Sequence, residues 1–230
     1  MSGDDTVRLW RIDLDRCSDR DTIDQAMRVL SADELARADR FRLSCHRSRF
    51  IACRAALRRI LAHTTGEDAA SLRFCYGPSG KPQLKSGLAS FSVSHADGRA
   101  LIAVTEQCSI GVDLERDRAV EDREILARAV FSEDEWKEFE HEGCTSRAFL
   151  SGWTRKEALV KATGQGLAGV HAFTVSTGLA AEVRSPSARW GDASDWTLRD
   201  VSDSNYIAAI AVRSPCVVVT TSDSGPPTSV

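Results

Sequence analysis

The chain lacks any long apolar run: nothing in its 230 residues approaches the roughly 18 consecutive apolar positions that span a bilayer. Its first residues include Asp4, Asp5 and Arg8 and form no apolar leader, so we expect a soluble, cytoplasmic protein with no membrane partner. Seven cysteines are scattered at 17, 45, 53, 75, 108, 144 and 216, without a CxxC pair and without Cys/His ligand spacing, and the five histidines are equally dispersed. These absences argue against structural zinc and a disulfide framework, and point to a reducing compartment. Aromatic residues are few, at 7%, and neither sign of charge dominates. A net charge of -3 argues against a nucleic-acid partner. There is no Walker P-loop and no residue-level repeat.

What is present is the composition of a globular protein, 42% hydrophobic and 27% charged, long enough for one large domain or two of ordinary size. Basic residues are unevenly spread. Between Arg37 and Arg59 there are eight arginines, and Asp39 is the only acid. That local positive field suits an anionic small-molecule ligand or an arginine-rich solvent face.

Alternation predicts strands over 7–14, 91–95, 100–104 and 110–115, with a turn at 96–99. Ser31-Ala-Asp-Glu34 forms a capping box ahead of a long helical pattern that stops near Thr64-Thr65-Gly66. On that helix Phe50, Cys53, Leu57, Ile60 and Leu61 share one face, and Arg58 and Arg59 are expected in solvent. The breaker-rich stretch from Phe74 to Pro82 reads as a loop, in which Gly77, Gly80 and Lys81 fit either a phosphate-holding turn or an ordinary turn between strands. Helices are predicted over 121–130, from the capping box Ser132-Glu-Asp-Glu135, over 145–152, and from Trp153, with Thr154 and Glu157 as a further capping box and Gly164 as the stop. Strands follow over 172–176, 180–184, 196–200 and 206–213, and 221–230 is expected to be disordered.

Within 110–115, period two sends Ile110, Val112 and Leu114 one way and Gly111, Asp113 and Glu115 the other. Two carboxylates on one face suit a hard cation such as Mg²⁺, or else line the solvated face of an edge strand. Glu157 and Lys161, four apart, share a helix face and fit a surface ion pair equally well.

Three motifs in this order resemble the 4′-phosphopantetheinyl transferases, specifically the larger, surfactin-type class. They are Gly80-Lys81-Pro82 followed by Phe91-Ser-Val-Ser-His95, then Gly111-Val-Asp-Leu-Glu115, then Trp153-Thr-Arg-Lys-Glu-Ala-Leu-Val-Lys161 closed by Gly164 and Gly166-Leu167. Arg37-Ala-Asp-Arg-Phe41, Arg49 to Arg54 and Phe131-Ser-x-x-Glu135 also resemble family segments, and the likeness runs over roughly residues 30 to 180. Ser92 departs from the family's common Asn-x-Ser-His, which puts one side-chain hydrogen bond in question.

The resemblance implies transfer of the phosphopantetheine arm of coenzyme A to a serine of an apo acyl or peptidyl carrier protein, releasing 3′,5′-ADP. It implies an α+β fold of two similar halves in a pseudo-two-fold monomer: residues 1–109 on the nucleotide side, 110–220 carrying the metal and catalytic groups, and the tail beyond. It further implies Mg²⁺ on Asp113, Glu115 and Glu157, with Glu157, Lys161 and Asp113 catalytic. Coenzyme A would be held by Arg37, Arg49, Tyr76, Gly77, Gly80, Lys81, Ser94 and His95 together with Asp113, Glu157 and Lys161, and His95 would meet the 3′-phosphate. Arg54 would add positive charge near the nucleotide. Two other functions fit less well: a non-catalytic coenzyme A or carrier-binding module, which has no need of three carboxylates, and a Mg²⁺-dependent nucleotide pyrophosphate hydrolase, which ordinarily has more acids on one helix.

Overall fold

The structure, a computed structural model, describes residues 5–16, 20–215 and 217–222. The alternating N-terminal stretch forms β1 (Asp5–Asp13), followed by α1 (Arg20–Met27), α2 (Ala32–Ala38) and α3 (Ser44–Thr65). A two-stranded hairpin, β2 (Phe74–Tyr76) and β3 (Pro82–Leu84), precedes β4 (Ser90–Ala96) and β5 (Arg99–Thr105). The chain then runs through β6 (Ile110–Arg116), α4 (Arg123–Val130), α5 (Glu133–His141) and α6 (Ser146–Thr163). A second hairpin, β7 (Phe173–Val175) and β8 (Val183–Pro186), leads to β9 (Thr197–Asp200), β10 (Tyr206–Val212) and β11 (Val217–Ser222).

Two sheets result, ordered β11-β1-β5-β4 and β6-β10-β9. All their pairings are antiparallel except β11, which runs parallel to β1. Both sheets are apolar on two faces, so each must be covered twice. Trp10, Ile12, Ile102 and Val104 pack under Leu57, Ile60 and Leu61 of α3. The opposite face, with Val7, Leu9, Leu101 and Ala103, meets Val112, Leu114, Ile210 and Val212 of the second sheet. The far side of that sheet takes Ala158, Leu159 and Ala162 of α6 against Ala209 and Ala211. The layers are helix, sheet, sheet, helix, an α+β architecture. No helix among the described residues is long and apolar enough to cross a membrane.

Four sequence expectations are corrected. The helical pattern after Ser31 is two helices, because residues 39–43 turn the chain so that the Phe41 ring packs 5.4 Å from Phe50. The 74–82 loop shrinks to Gly77–Lys81, the turn of a hairpin, which is the turn-between-strands alternative of the sequence reading. Residues 146–163 form one helix where a break at Trp153 is expected. Thr145 caps it, and the Thr154 hydroxyl donates to Leu150 O at 2.9 Å within the helix. Gly152 is a packing glycine and not a break, since a Cβ there would stand 2.6 Å from Phe131 Cζ. Thr221 and Ser222, expected in a disordered tail, pair with Leu9 and Trp10, while 223–230 lie outside the described residues.

Both early capping boxes form, and their glutamates do more than cap. Glu34 accepts the Ser31 N–H at 2.9 Å and also pairs with Arg54 and with Arg58 Nε, the latter at 2.7 Å. Arg58, expected in solvent, is therefore 1% exposed; it also donates to Ala69 O at 2.7 Å. Glu135 accepts the Ser132 N–H at 2.6 Å and holds Lys156 Nζ at 2.8 Å with both oxygens. Each ion pair locks a short helix onto the long helix that follows it.

Candidate active site

The site grows from Gly111. A Cβ at this position would lie 1.9 Å from Ala158 O and 2.5 Å from Ala162 N, so only glycine lets α6 lie directly on β6. That contact sets the acidic face of β6, carrying Asp113 and Glu115, against the α6 face carrying Glu157 and Lys161. At the other edge of β6 runs β4, from the first sheet. Side chains bridge this seam where a ladder would otherwise run: Ser92 Oγ accepts the Val112 N–H at 3.0 Å, and Lys81 Nζ donates to Ile110 O at 2.9 Å. Serine at 92 thus still makes a cross-seam hydrogen bond.

At the centre Lys161 Nζ lies 2.6 Å from Asp113 Oδ1 and 2.9 Å from Ser94 Oγ, and Ser94 Oγ donates to the same Oδ1 at 2.9 Å. The surface-pair alternative for Lys161 therefore fails: its ammonium is held by Asp113 of β6 and, across the seam, by Ser94 of β4. Asp113 is 5% exposed, and its Oδ2, like Glu157 Oε1, is buried without a hydrogen-bond partner. Burial, and then the negative charge of Asp113, push both Glu157 and Glu115 above the usual carboxylate range. Glu115 is also hydrogen-bonded by Trp153. Glu157 and Glu115, both raised beside Asp113, mark a cluster short of positive charge. Among the described residues, however, no three His, Cys, Asp or Glu side chains converge as a preformed metal cage.

Beside the seam, between α3 and the first sheet, opens a cavity of about 630 Å³. Arg37, Arg49, Arg54, Tyr76, Gly80 and His95, singled out in the sequence, line it together with Phe41, His46, Phe50 and Asp97, which sequence reasoning missed. The α2–α3 turn, unpredicted, brings the two phenylalanines there. Lost solvation, then the positive charges of Lys161 and Arg37, hold His95 below the usual histidine value, though its ring keeps an open face to the cavity. Burial lowers Lys81 to about 8.

The arginines differ in availability. Arg49 is paired with Asp15 through two hydrogen bonds of 2.7 and 2.9 Å, and Arg54 is committed to Glu34. The guanidinium of Arg37 stands 5.3 Å from the centre of the Phe50 ring. Gly77 does not line the cavity; its N–H donates to Lys81 O at 3.0 Å and closes the hairpin turn. Lys81 and Ser94 lie at the seam, not in the cavity wall.

An anion-receptive cavity that ends at a carboxylate and lysine seam can be compared with known proteins. A family model described as the 4′-phosphopantetheinyl transferase superfamily matches residues 109–211, which include Asp113, Glu115, Glu157 and Lys161. The 4′-phosphopantetheinyl transferase HetI of Nostoc sp. is 38% identical over 90% of this chain and 88% of its own length. A relative from Synechocystis sp. is 33% identical over 84% of this chain and 83% of its own. The 4′-phosphopantetheinyl transferase psf-1 of Bacillus pumilus is 26% identical over 70% of each. With matches running nearly end to end and centred on the seam, the chain belongs to the 4′-phosphopantetheinyl transferase superfamily.

Proposed function

We propose that this enzyme transfers the 4′-phosphopantetheine arm of coenzyme A to a serine hydroxyl of an apo acyl or peptidyl carrier protein, releasing 3′,5′-ADP. The observation that carries this reading is the seam cluster of Asp113, Glu157, Lys161 and Ser94 opening beside a cation-rich cavity. The nucleotide of coenzyme A fits that cavity, with Arg37 and His95 facing its phosphates and Tyr76 and Gly80 along one wall. Arg49 would serve only by sharing its charge with Asp15. Gly77 acts by shaping the turn that presents Lys81.

Asp113, Glu115 and Glu157 offer an all-oxygen donor set with two buried oxygens lacking partners, a chemistry that fits Mg²⁺. When bound, the ion would supply charge neutralisation at the pyrophosphate. The protein's own groups do the remaining work. Lys161, freed from Asp113, neutralises a phosphate oxygen or the departing 3′,5′-ADP. Glu157, whose carboxyl is pushed up by burial, accepts the serine proton, directly or through water. Ser94 holds Asp113 in place, and Lys81 and His95 steady the phosphates.

The finer assignment is the larger, surfactin-type class, a monomer of two similar halves with residues 1–109 binding and 110–220 reacting. The element order supports it: strand, three helices, hairpin, two strands, then the same series again. In each half the first strand pairs with the last, and the last with the one before it. Strand β11 then returns to the first half's sheet. A cytoplasmic location and the absence of a nucleic-acid partner remain part of this reading, on composition and charge.

Incubation with coenzyme A, Mg²⁺ and an apo carrier, followed by intact-mass measurement of the carrier, tests the function. A gain of one phosphopantetheine arm is expected. Release of 3′,5′-ADP without a carrier would indicate the hydrolase, and binding without turnover the non-catalytic module.

A further inference from the structure

We infer that Lys161 is a built-in competitor for the divalent cation, so that the cation and the pyrophosphate of coenzyme A bind at the seam cooperatively and each poorly alone. This rests on the transferase reading of the same site and adds to it an order of events. The ammonium is held at two points, 2.6 Å from Asp113 Oδ1 and 2.9 Å from Ser94 Oγ, and the Ser94 hydroxyl closes the triangle on the same carboxylate oxygen at 2.9 Å. Asp113 is nearly shut off from water, so little solvent screens this pair. A dication approaching the partnerless Oδ2 meets a positive charge already seated on the sister oxygen of the same carboxylate.

The two partners are unequal in mobility. Asp113 is fixed in the middle of a paired strand, opposite Ala209. Lys161 sits in the last turn of α6 on a flexible four-carbon stem and is 29% exposed on its side chain. A pyrophosphate entering from the cavity offers the ammonium a second anion. The lysine can then leave Asp113 and open the carboxylate to the cation. Because linkage is reciprocal, the cation must tighten coenzyme A by the same factor that coenzyme A tightens the cation.

The test is calorimetric titration of Mn²⁺, with and without coenzyme A, into the wild type, Lys161→Met and Lys161→Arg. Without coenzyme A, Lys161→Met should bind Mn²⁺ at least about tenfold more tightly than wild type, whereas Lys161→Arg, which keeps the charge, should not. Coenzyme A should tighten Mn²⁺ more in the wild type than in Lys161→Met. Should Lys161→Met fail to fold, Ser94→Ala removes one of the two anchors and should tighten Mn²⁺ by about threefold. Unchanged Mn²⁺ affinity in the folded variants overturns the inference even if the wild type modifies a carrier. A wild type that binds Mn²⁺ and coenzyme A cooperatively but never modifies a carrier overturns the transferase reading and leaves the competition standing.

Discussion

The two helix–sheet units of this protein pass through the same series of elements and put it to opposite uses. In the second unit, Gly111 lets α6 lie flat on β6, and the contact brings Lys161 onto Asp113, with Glu115 and Glu157 close enough to feel its charge. In the first, α3 stands off its sheet toward one end, and the gap is the cavity lined by Arg37, Arg49 and His95. Close approach concentrates charge for chemistry, whereas separation leaves room for a ligand. The buried ion pairs carry the same contrast. Glu34 is shared between two arginines, one of which borders the cavity, while Glu135 holds Lys156 with almost no solvent contact on either side. In the first unit one arm of the support, Arg54, lines the cavity wall, whereas in the second the support is sealed between α5 and α6.

The largest effect expected from breaking this division is on chemistry. Asp113→Ala or Glu157→Ala should lower transfer by about a thousandfold or more, with circular dichroism unchanged. Near-normal turnover by either variant would remove the seam from the account. Next comes stability. Glu135→Ala leaves the buried Lys156 ammonium with no counter-charge and only Phe173 O as a partner, and should cost about 3–5 kcal/mol in denaturant unfolding. Glu34→Ala should cost less, because Arg58 keeps two carbonyls, Ala69 O and Leu72 O, where Lys156 keeps one. Equal losses would mean that the two supports are equivalent after all.

His95→Ala should weaken coenzyme A about tenfold and 3′-dephospho-coenzyme A much less, as titration of both ligands would reveal. Equal weakening would remove His95 from the 3′-phosphate. The smallest effect concerns Lys81, whose ammonium is lowered to about 8 by burial. Its folded form binds fewer protons than the unfolded chain between that value and the ordinary 10.5, so its burial costs stability at neutral pH and the cost fades as pH rises through this window. Phosphate contact needs the charged form, so coenzyme A affinity should fall over the same rise. Opposite slopes of melting temperature and affinity above pH 8 are the signature, and Lys81→Gln should flatten both.

Much of the site was legible because its chemistry is written in short periods. The alternation of 110–115 put Asp113 and Glu115 on one face, and a spacing of four put Glu157 and Lys161 on another. That Lys161 reaches Asp113 across 48 positions depends on Gly111, whose purpose is visible only once α6 lies upon it. The burial of Arg58 went unread because an arginine at the rim of an apolar stripe ordinarily faces water. Its partner, Glu34, has the local pattern of a cap and nothing more. A signal was present: a capping-box glutamate followed by a basic residue 24 positions on at Arg58, and again 21 on at Lys156. The strand β11 escaped because Val217 to Thr221 adjoins a polar tail, and pairing with β1 is a contact that no local pattern announces. The capping-box pattern of Thr154 and Glu157, with Gly152 just before it, mimics a helix start inside what is one helix. Phe131 and the Leu150 carbonyl make Gly152 and Thr154 part of the helix.

The central claim is that one unit holds the nucleotide while the other acts on its pyrophosphate. The most direct test is a crystal structure with coenzyme A and Mg²⁺ bound. It should show adenosine in the cavity beside Arg37 and His95, and the pyrophosphate at the seam, with Lys161 turned from Asp113 to a phosphate oxygen. Coenzyme A bound elsewhere, or a pyrophosphate that leaves the Lys161–Asp113 contact intact, would contradict it.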